Sequence, residues 1–194
     1  MTQLNRRLLV GAIAALPFAG EAHADGPSET FIRSVADQAF ALSRANAEAA
    51  QFSALLVRVA DVQRISRTVL GRHTRSFTPE QQQRFRDAFT RHLGSVLRGS
   101  LRGMEPGAFR VTGSVDLRPG DTLVASRAQR SGGDPLTMRW RVLSTPAGQR
   151  LVDIEYLGVF LALQQAQEFA AFLDRPGNSA DMLIARLAER TQVS

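Results

Sequence analysis

The chain has no cysteine and no lysine, and its 194 residues include one tryptophan, one tyrosine and three histidines. Without cysteine there is no disulfide, no thiol nucleophile and no zinc site of the cysteine type. A domain of this length can bury enough surface to do without such staples. The histidines have no chemistry-bearing neighbours. His73 lies in a predicted turn and His92 on a predicted helix beside Arg91, with no serine nucleophile setting near either. Gly-x-Ser-x-Gly, HExxH and a phosphate-binding glycine loop are all missing, and Gly132-Gly133 reads as a hairpin turn. Asp116, Asp121 and Asp134 stand in or beside strand turns, where aspartate commonly bonds its own backbone. No catalytic residue, metal site or cofactor is therefore expected.

Apolar runs are short except at the start. Arg6-Arg7, the apolar stretch from Leu8 to Phe18 and Ala22-His23-Ala24 have the order of a signal peptide cut after Ala24. Residues 1–24 are read as leader and 25–194 as one domain, placed in an exported compartment. Asn5-Arg6-Arg7-Leu8-Leu9 also hints at twin-arginine export, leaving the route open. The formal charge is +6, and loss of Arg6, Arg7 and Glu21 brings it to +5. An excess of arginine suits anionic surfaces or acidic partners, and export makes nucleic acid an improbable one.

Four strand-like runs occupy the centre: Phe109–Leu117, Thr122–Arg130, Leu136–Leu143 and Arg150–Tyr156, parted by turns at 118–121, 131–134 and 145–148. In the third, Leu136, Met138, Trp140 and Val142 alternate with Thr137, Arg139 and Arg141, so one face is apolar and the other wet. Helical spacing is seen before the sheet in Ser28–Asn46, Glu48–Val59, Asp61–Leu70 and the stretch opened by Thr78-Pro79-Glu80-Gln81. It returns afterwards in Gly158–Asp174 and Ser179–Arg190. Helices segregated from an antiparallel meander define an α+β fold: a four-stranded twisted sheet covered on one face by several helices.

Asp61-Val62-Gln63-Arg64-Ile65, Val69-Leu70-Gly71-Arg72-His73 and Thr78-Pro79-Glu80-Gln81, with Phe85 and Phe89 beyond, resemble the MlaC family. The resemblance resumes at Asp153, Gly158-Val159, Leu161, Phe169-Ala170-Ala171-Phe172-Leu173 and Leu183-Ile184-Ala185-Arg186-Leu187. The chain departs from the family pattern at Ala60, where an aromatic is usual, at Thr74, where tryptophan is usual, and at Phe160 with Gln164-Gln165-Ala166.

That resemblance implies a periplasmic carrier with an apolar pocket between sheet and helices. Its guest is a phospholipid or a hopanoid-type lipid, and its partners are an inner-membrane lipid transporter and an outer-membrane lipoprotein complex. A monomer is expected. The sheet contribution to the lining falls on Val111, Val115, Val124, Met138, Trp140, Val142, Val152, Ile154 and Tyr156. Leu55, Val59, Val69, Phe85, Phe89 and Val159 complete it from the other elements. Arg64, Arg67, Arg72 and Arg75 are read as a solvated face or as contacts to phosphate or an acidic partner. An adaptor that docks on a transporter, its sheet face filled by its own helices, is the alternative.

Overall fold

Cap and turn residues divide the chain into six α-helices and five strands among the described residues of a computed structural model, which are 26–102, 104, 107, 109–129 and 133–193. The predicted leader, Arg130 and the centre of the turn at Ser131-Gly132 lie outside them. The helices are α1 (Pro27–Arg44), α2 (Ala49–Val59), α3 (Val62–Leu70), α4 (Pro79–Leu101), α5 (Leu161–Leu173) and α6 (Ala180–Val193). The strands are β1 (Arg110–Arg118), β2 (Asp121–Ala128), β3 (Leu136–Thr145), β4 (Gly148–Tyr156) and β5 (Val159–Phe160). A 3-10 segment, Gly71–Ser76, joins α3 to α4.

The helix starts follow the side chains available. Asp61 Oδ1 accepts from the Arg64 amide at 2.9 Å and caps α3. The Thr78 hydroxyl accepts from the Gln81 amide at 3.2 Å while the Gln81 side chain accepts from the Thr78 amide at 3.0 Å, so α4 opens on a complete capping box. Glu48 and Gln51 do the same for α2. Ser28 does not cap α1; Gly26 holds that position, and the buried Ser28 hydroxyl turns to the Gln149 side chain at 3.4 Å.

The strands form one antiparallel sheet in the order β1-β2-β3-β4-β5. The fifth strand corrects the expected four, and it delays α5 to Leu161. Leu157 and Gly158 both hold positive φ, 51° and 81°, the backbone of a tight two-residue reversal. Val159 and Phe160 therefore return against Tyr156 and Glu155 as strand and not as helix.

Of three register shifts in the sheet, two set which of the expected lining residues face inward. One lies between Val111 and Gly113 in β1, and the other lies opposite the Arg141–Val142 step, where Val152 is the extra residue of β4. The inner face carries Val111, Val124, Trp140, Val142, Leu151 and Ile154. The outer face carries an ion-pair ladder. Asp121, only 2% exposed, receives Arg141 through two bonds of 2.9 and 2.8 Å and Arg118 at 3.0 Å, while Arg139 binds Glu155 beside it. The turn role expected of Asp121 is thus replaced by a buried charge with two arginine partners.

The buried residues fall into three clusters. Val69, Phe85, Phe89, Phe169, Leu183 and Leu187 anchor one made by α3 to α6. Val35, Phe40, Phe52, Leu55, Val59 and Leu101 anchor a second among α1, α2 and α4. The third is the seam between helices and sheet.

Candidate functional site

The seam is built from a small closed centre and a wider half-open margin. Ile32 from α1, Ala60 between α2 and α3, and Val124, Val142 and Leu151 from the sheet are buried. Around them Phe31, Val62 and Ile65 on the helices, Phe109 just before β1, and Val111, Trp140 and Ile154 on the sheet are only partly buried. These margins are apolar, so their remaining exposure leaves hydrocarbon surface against water unless something covers it.

Backbone bonds hold the seam's floor. The Asp61 amide donates to the Leu151 carbonyl at 2.9 Å, and Ala60 bridges Leu151 in parallel fashion, tying the α2–α3 junction to β4. Trp140 is held by its own polar atom: Nε1 donates to the fully buried Ser126 hydroxyl at 2.7 Å. The indole face then meets Phe109 edge-on, with ring centroids 6.0 Å apart, and Phe109 continues to Phe40 at 6.5 Å. A partly buried tryptophan with its N–H satisfied offers an apolar surface at no polar cost.

The charged groups lie off this surface. Arg141 and then the neighbouring cations hold the Asp121 carboxyl below the ordinary range for aspartate. Asp153 is pushed up by its burial, although it accepts from the Ile154 amide at 2.8 Å and the Ala162 amide at 3.1 Å. His92 is pushed down by burial first and by Arg190 second, and its Nδ1 has no hydrogen-bond partner. No cluster of three histidine or carboxylate side chains among the described residues could hold a metal ion. No helix among them is long and apolar enough to cross a membrane.

Of the expected lining, Val111, Val124, Trp140, Val142 and Ile154 meet in the seam. The others lie elsewhere. Val115 is 57% exposed on the outer face, because the shift after Val111 reverses the alternation and sets it opposite Leu123. Val159 is exposed on β5. Val69, Phe85 and Phe89 form the helical core, where Phe85 stacks on Phe89 at 5.5 Å and both meet Phe169 edge-on. Leu55 and Val59 pack under α1. Val152, the bulge residue, is buried outside all three clusters. Met138 and Tyr156 border a pocket of about 270 Å³ at the end of the sheet.

Sequence reading passed over Ile32, Ala60 and Leu151. Leu151 was hidden by the bulge, since strict alternation through Val152, Ile154 and Tyr156 sends it outward. Ile32 neighbours Phe31 on α1, and adjacent helical positions give no means of choosing between them from period alone. The arginines at α3 divide: Arg64 pairs with Asp61, and Arg72 with His73 reaches Asp174.

An antiparallel sheet with helices over its apolar face, and a half-open apolar seam between them, defines an α+β domain. The chain belongs to the MlaC family: residues 27–189 match the family described as MlaC protein. Its fold is also similar to that of a phospholipid-binding protein from Ralstonia solanacearum whose structure was solved in complex with a phospholipid. The two share 22% identity, with a TM-score of 0.74 over 87% of this chain and 98% of that one. No curated protein sequence matches the chain.

Proposed function

We propose that the protein is a phospholipid carrier of the periplasm, taking its guest between an inner-membrane transporter and an outer-membrane lipoprotein complex. The observation that carries this reading is the margin of half-buried apolar side chains around the seam, in a chain of the MlaC family. The phospholipid held by the similarly folded Ralstonia protein supports the same class of guest. Each methylene removed from water is worth roughly 0.8 kcal/mol, so one sixteen-carbon chain is worth on the order of 12 kcal/mol. A carrier needs only to match the dryness of a bilayer, and non-directional contact with Trp140, Ile154, Ile65 and Phe109 does this without selecting a chain length. Ala60, where the family usually has an aromatic, is the departure that motivates a hopanoid-type lipid as the alternative guest.

A second reading has its own support. The pocket at the end of the sheet lies outside the seam, whose centre is closed by Ile32, Val124 and Val142. That favours an adaptor that docks on a transporter without cargo. One experiment separates the two. The protein is purified from cells, extracted with organic solvent and examined by mass spectrometry, and its uptake of labelled lipid from vesicles is measured. A stoichiometric phospholipid or hopanoid supports the carrier and names the guest; no lipid by either measurement leaves the adaptor.

A further inference from the structure

The reversal after β4 leaves an apolar corner that neither the core nor the seam covers. Leu157 is 82% exposed and holds φ at +51°, a backbone conformation that strains a bulky side chain. Glycine would remove the strain, yet the position carries a large aliphatic group into water. Val159, Leu161 and Leu163 follow it at the surface, the last 56% exposed. Large aliphatic side chains exposed along one turn and the helix start after it mark a candidate contact surface, with Leu157 the most exposed.

Sheet register links this corner to positive charge. Arg127 pairs with Thr137, and Met138 pairs with Tyr156, so Leu157 ends the transverse row that runs through Thr137 and Arg127 to Arg110. Two strand spacings, about 10 Å, separate Leu157 from Arg127. Arg110 and Arg127 are directly opposed and exposed, and neither has an acidic partner among the described residues. Like charges facing across antiparallel strands repel, a cost that an anion removes. Arg139 in the same region is already bound to Glu155, and Asp121, six residues before Arg127, is taken up by Arg141 and Arg118. The 270 Å³ pocket beside Leu157 is bordered by Thr137, Gly158 and the paired Arg139 and Glu155, and neither Arg110 nor Arg127 lines it.

We propose that this end of the sheet docks on the anionic surface of a lipid bilayer. Leu157 and its aliphatic neighbours enter the boundary below the headgroups, and Arg110 and Arg127 meet lipid phosphates in the planar geometry that guanidinium favours. Leu157 projects from a tight turn beside two exposed, directly opposed arginines, which suits insertion among anionic headgroups. The formal charge of +6 acts in the same direction. The inference complements the carrier reading, for it holds the protein at the membrane in which its proposed partners lie, but vesicle binding itself does not require cargo.

Flotation of the purified protein with vesicles of phosphatidylcholine, with and without phosphatidylglycerol, tests it. Binding is expected only with the anionic lipid, falling as salt rises. Leu157→Gly is expected to weaken binding roughly tenfold without lowering Tm, since it relieves the positive φ. Arg110→Glu with Arg127→Glu is expected to weaken it at least tenfold, by roughly 1.4 kcal/mol or more. A wild-type protein that does not float with anionic vesicles overturns the inference, as do variants that float like wild type. Lipid recovery is scored on the same preparations. Flotation without recovered lipid removes the carrier reading alone, and recovered lipid without flotation removes the docking face alone.

Discussion

Asp153 of β4 holds the first turn of α5 by accepting from the Ala162 amide at 3.1 Å, nine residues downstream. Phe160, at the N-cap, has no side chain that can do this. A strand residue thus supplies the cap and fixes the angle at which the helix leaves the sheet. Asp153→Ala is expected to cost about 1 kcal/mol, whereas Asp153→Asn keeps the accepting oxygen and removes a charge that burial disfavours. Urea unfolding should show the alanine variant clearly weaker and the asparagine variant within about 0.5 kcal/mol of wild type. Equal losses in both would show that the negative charge, and not the acceptor, is what α5 needs.

Gly94 bears on the helical layer in a different way. A β-carbon there would lie 2.1 Å from Ser53 Oγ, 2.7 Å from Ser53 N and 2.9 Å from the Ala49 carbonyl, so α2 and α4 touch through backbone. The flexible hydroxyl can turn away, but the backbone atoms cannot. Gly94→Ala should therefore destabilise by about 1–3 kcal/mol even though alanine is the better helix former. A Tm equal to or above that of wild type would mean that the helices separate freely at this crossing.

Much of this architecture could be read before any coordinates. Alternation in β3 placed Met138, Trp140 and Val142 on one face correctly, and the capping residues at Asp61 and Thr78 marked true helix starts. The site was read less well, for a physical reason. A bulge adds one residue without altering composition, and each such addition reverses everything beyond it: Val115 turns outward, and Leu151 turns inward. Phe85 and Phe89 show a second limit. An apolar helical stripe is the same whether it faces a sheet or other helices, and here Phe77 and Phe169 claim it. The charge of Asp121 was read as local because its partner Arg141 lies across the sheet.

Acid should weaken the fold in two separable windows. His92 is held down by burial and by Arg190, so the unfolded chain takes up this proton first. Stability from neutral His92 is full above its unfolded value of about 6.5 and declines as pH falls toward the folded value. Asp121 is lowered mainly by its bonds to Arg141, and its contribution is present above the unfolded value of about 3.9 and declines below it. Denaturant midpoints measured from about pH 7 down to about pH 5 should fall in wild type and stay level in His92→Gln. Level midpoints in both proteins would place His92 in water, free of the burial seen here.

The ion-pair ladder on the outer face should matter more than its position suggests. Asp121 is buried while Arg118 and Arg141 reach solvent, so removing the acid leaves the two cations only partly stranded. Asp121→Ala is expected to cost about 2 kcal/mol, between the values for exposed and fully buried pairs. Arg118→Ala, with a partner already satisfied by Arg141, is expected to cost less than about 1 kcal/mol. If the two substitutions cost the same in chemical denaturation, the bidentate Arg141 bond is not the dominant contact.

Lipid binding is best tested at the seam's margin and not at its centre. Val142 is fully buried, and a charge there threatens the fold before it reports on any guest. Ile65 and Ile154 are half-buried on opposite walls, Ile65 on α3 and Ile154 on β4. Ile65→Glu and Ile154→Glu let the carboxylate reach water while placing charge where a hydrocarbon chain must lie. Each is expected to lower recovered lipid at least tenfold, with a loss of stability below about 2 kcal/mol. Phe89→Asp serves as the contrast, because Phe89 stacks on Phe85 in the helical core, away from the seam. It should unfold the protein by circular dichroism, so a lost lipid signal there carries no information about the site. If the isoleucine variants are folded and still carry wild-type amounts of lipid, the guest is not held between sheet and helices.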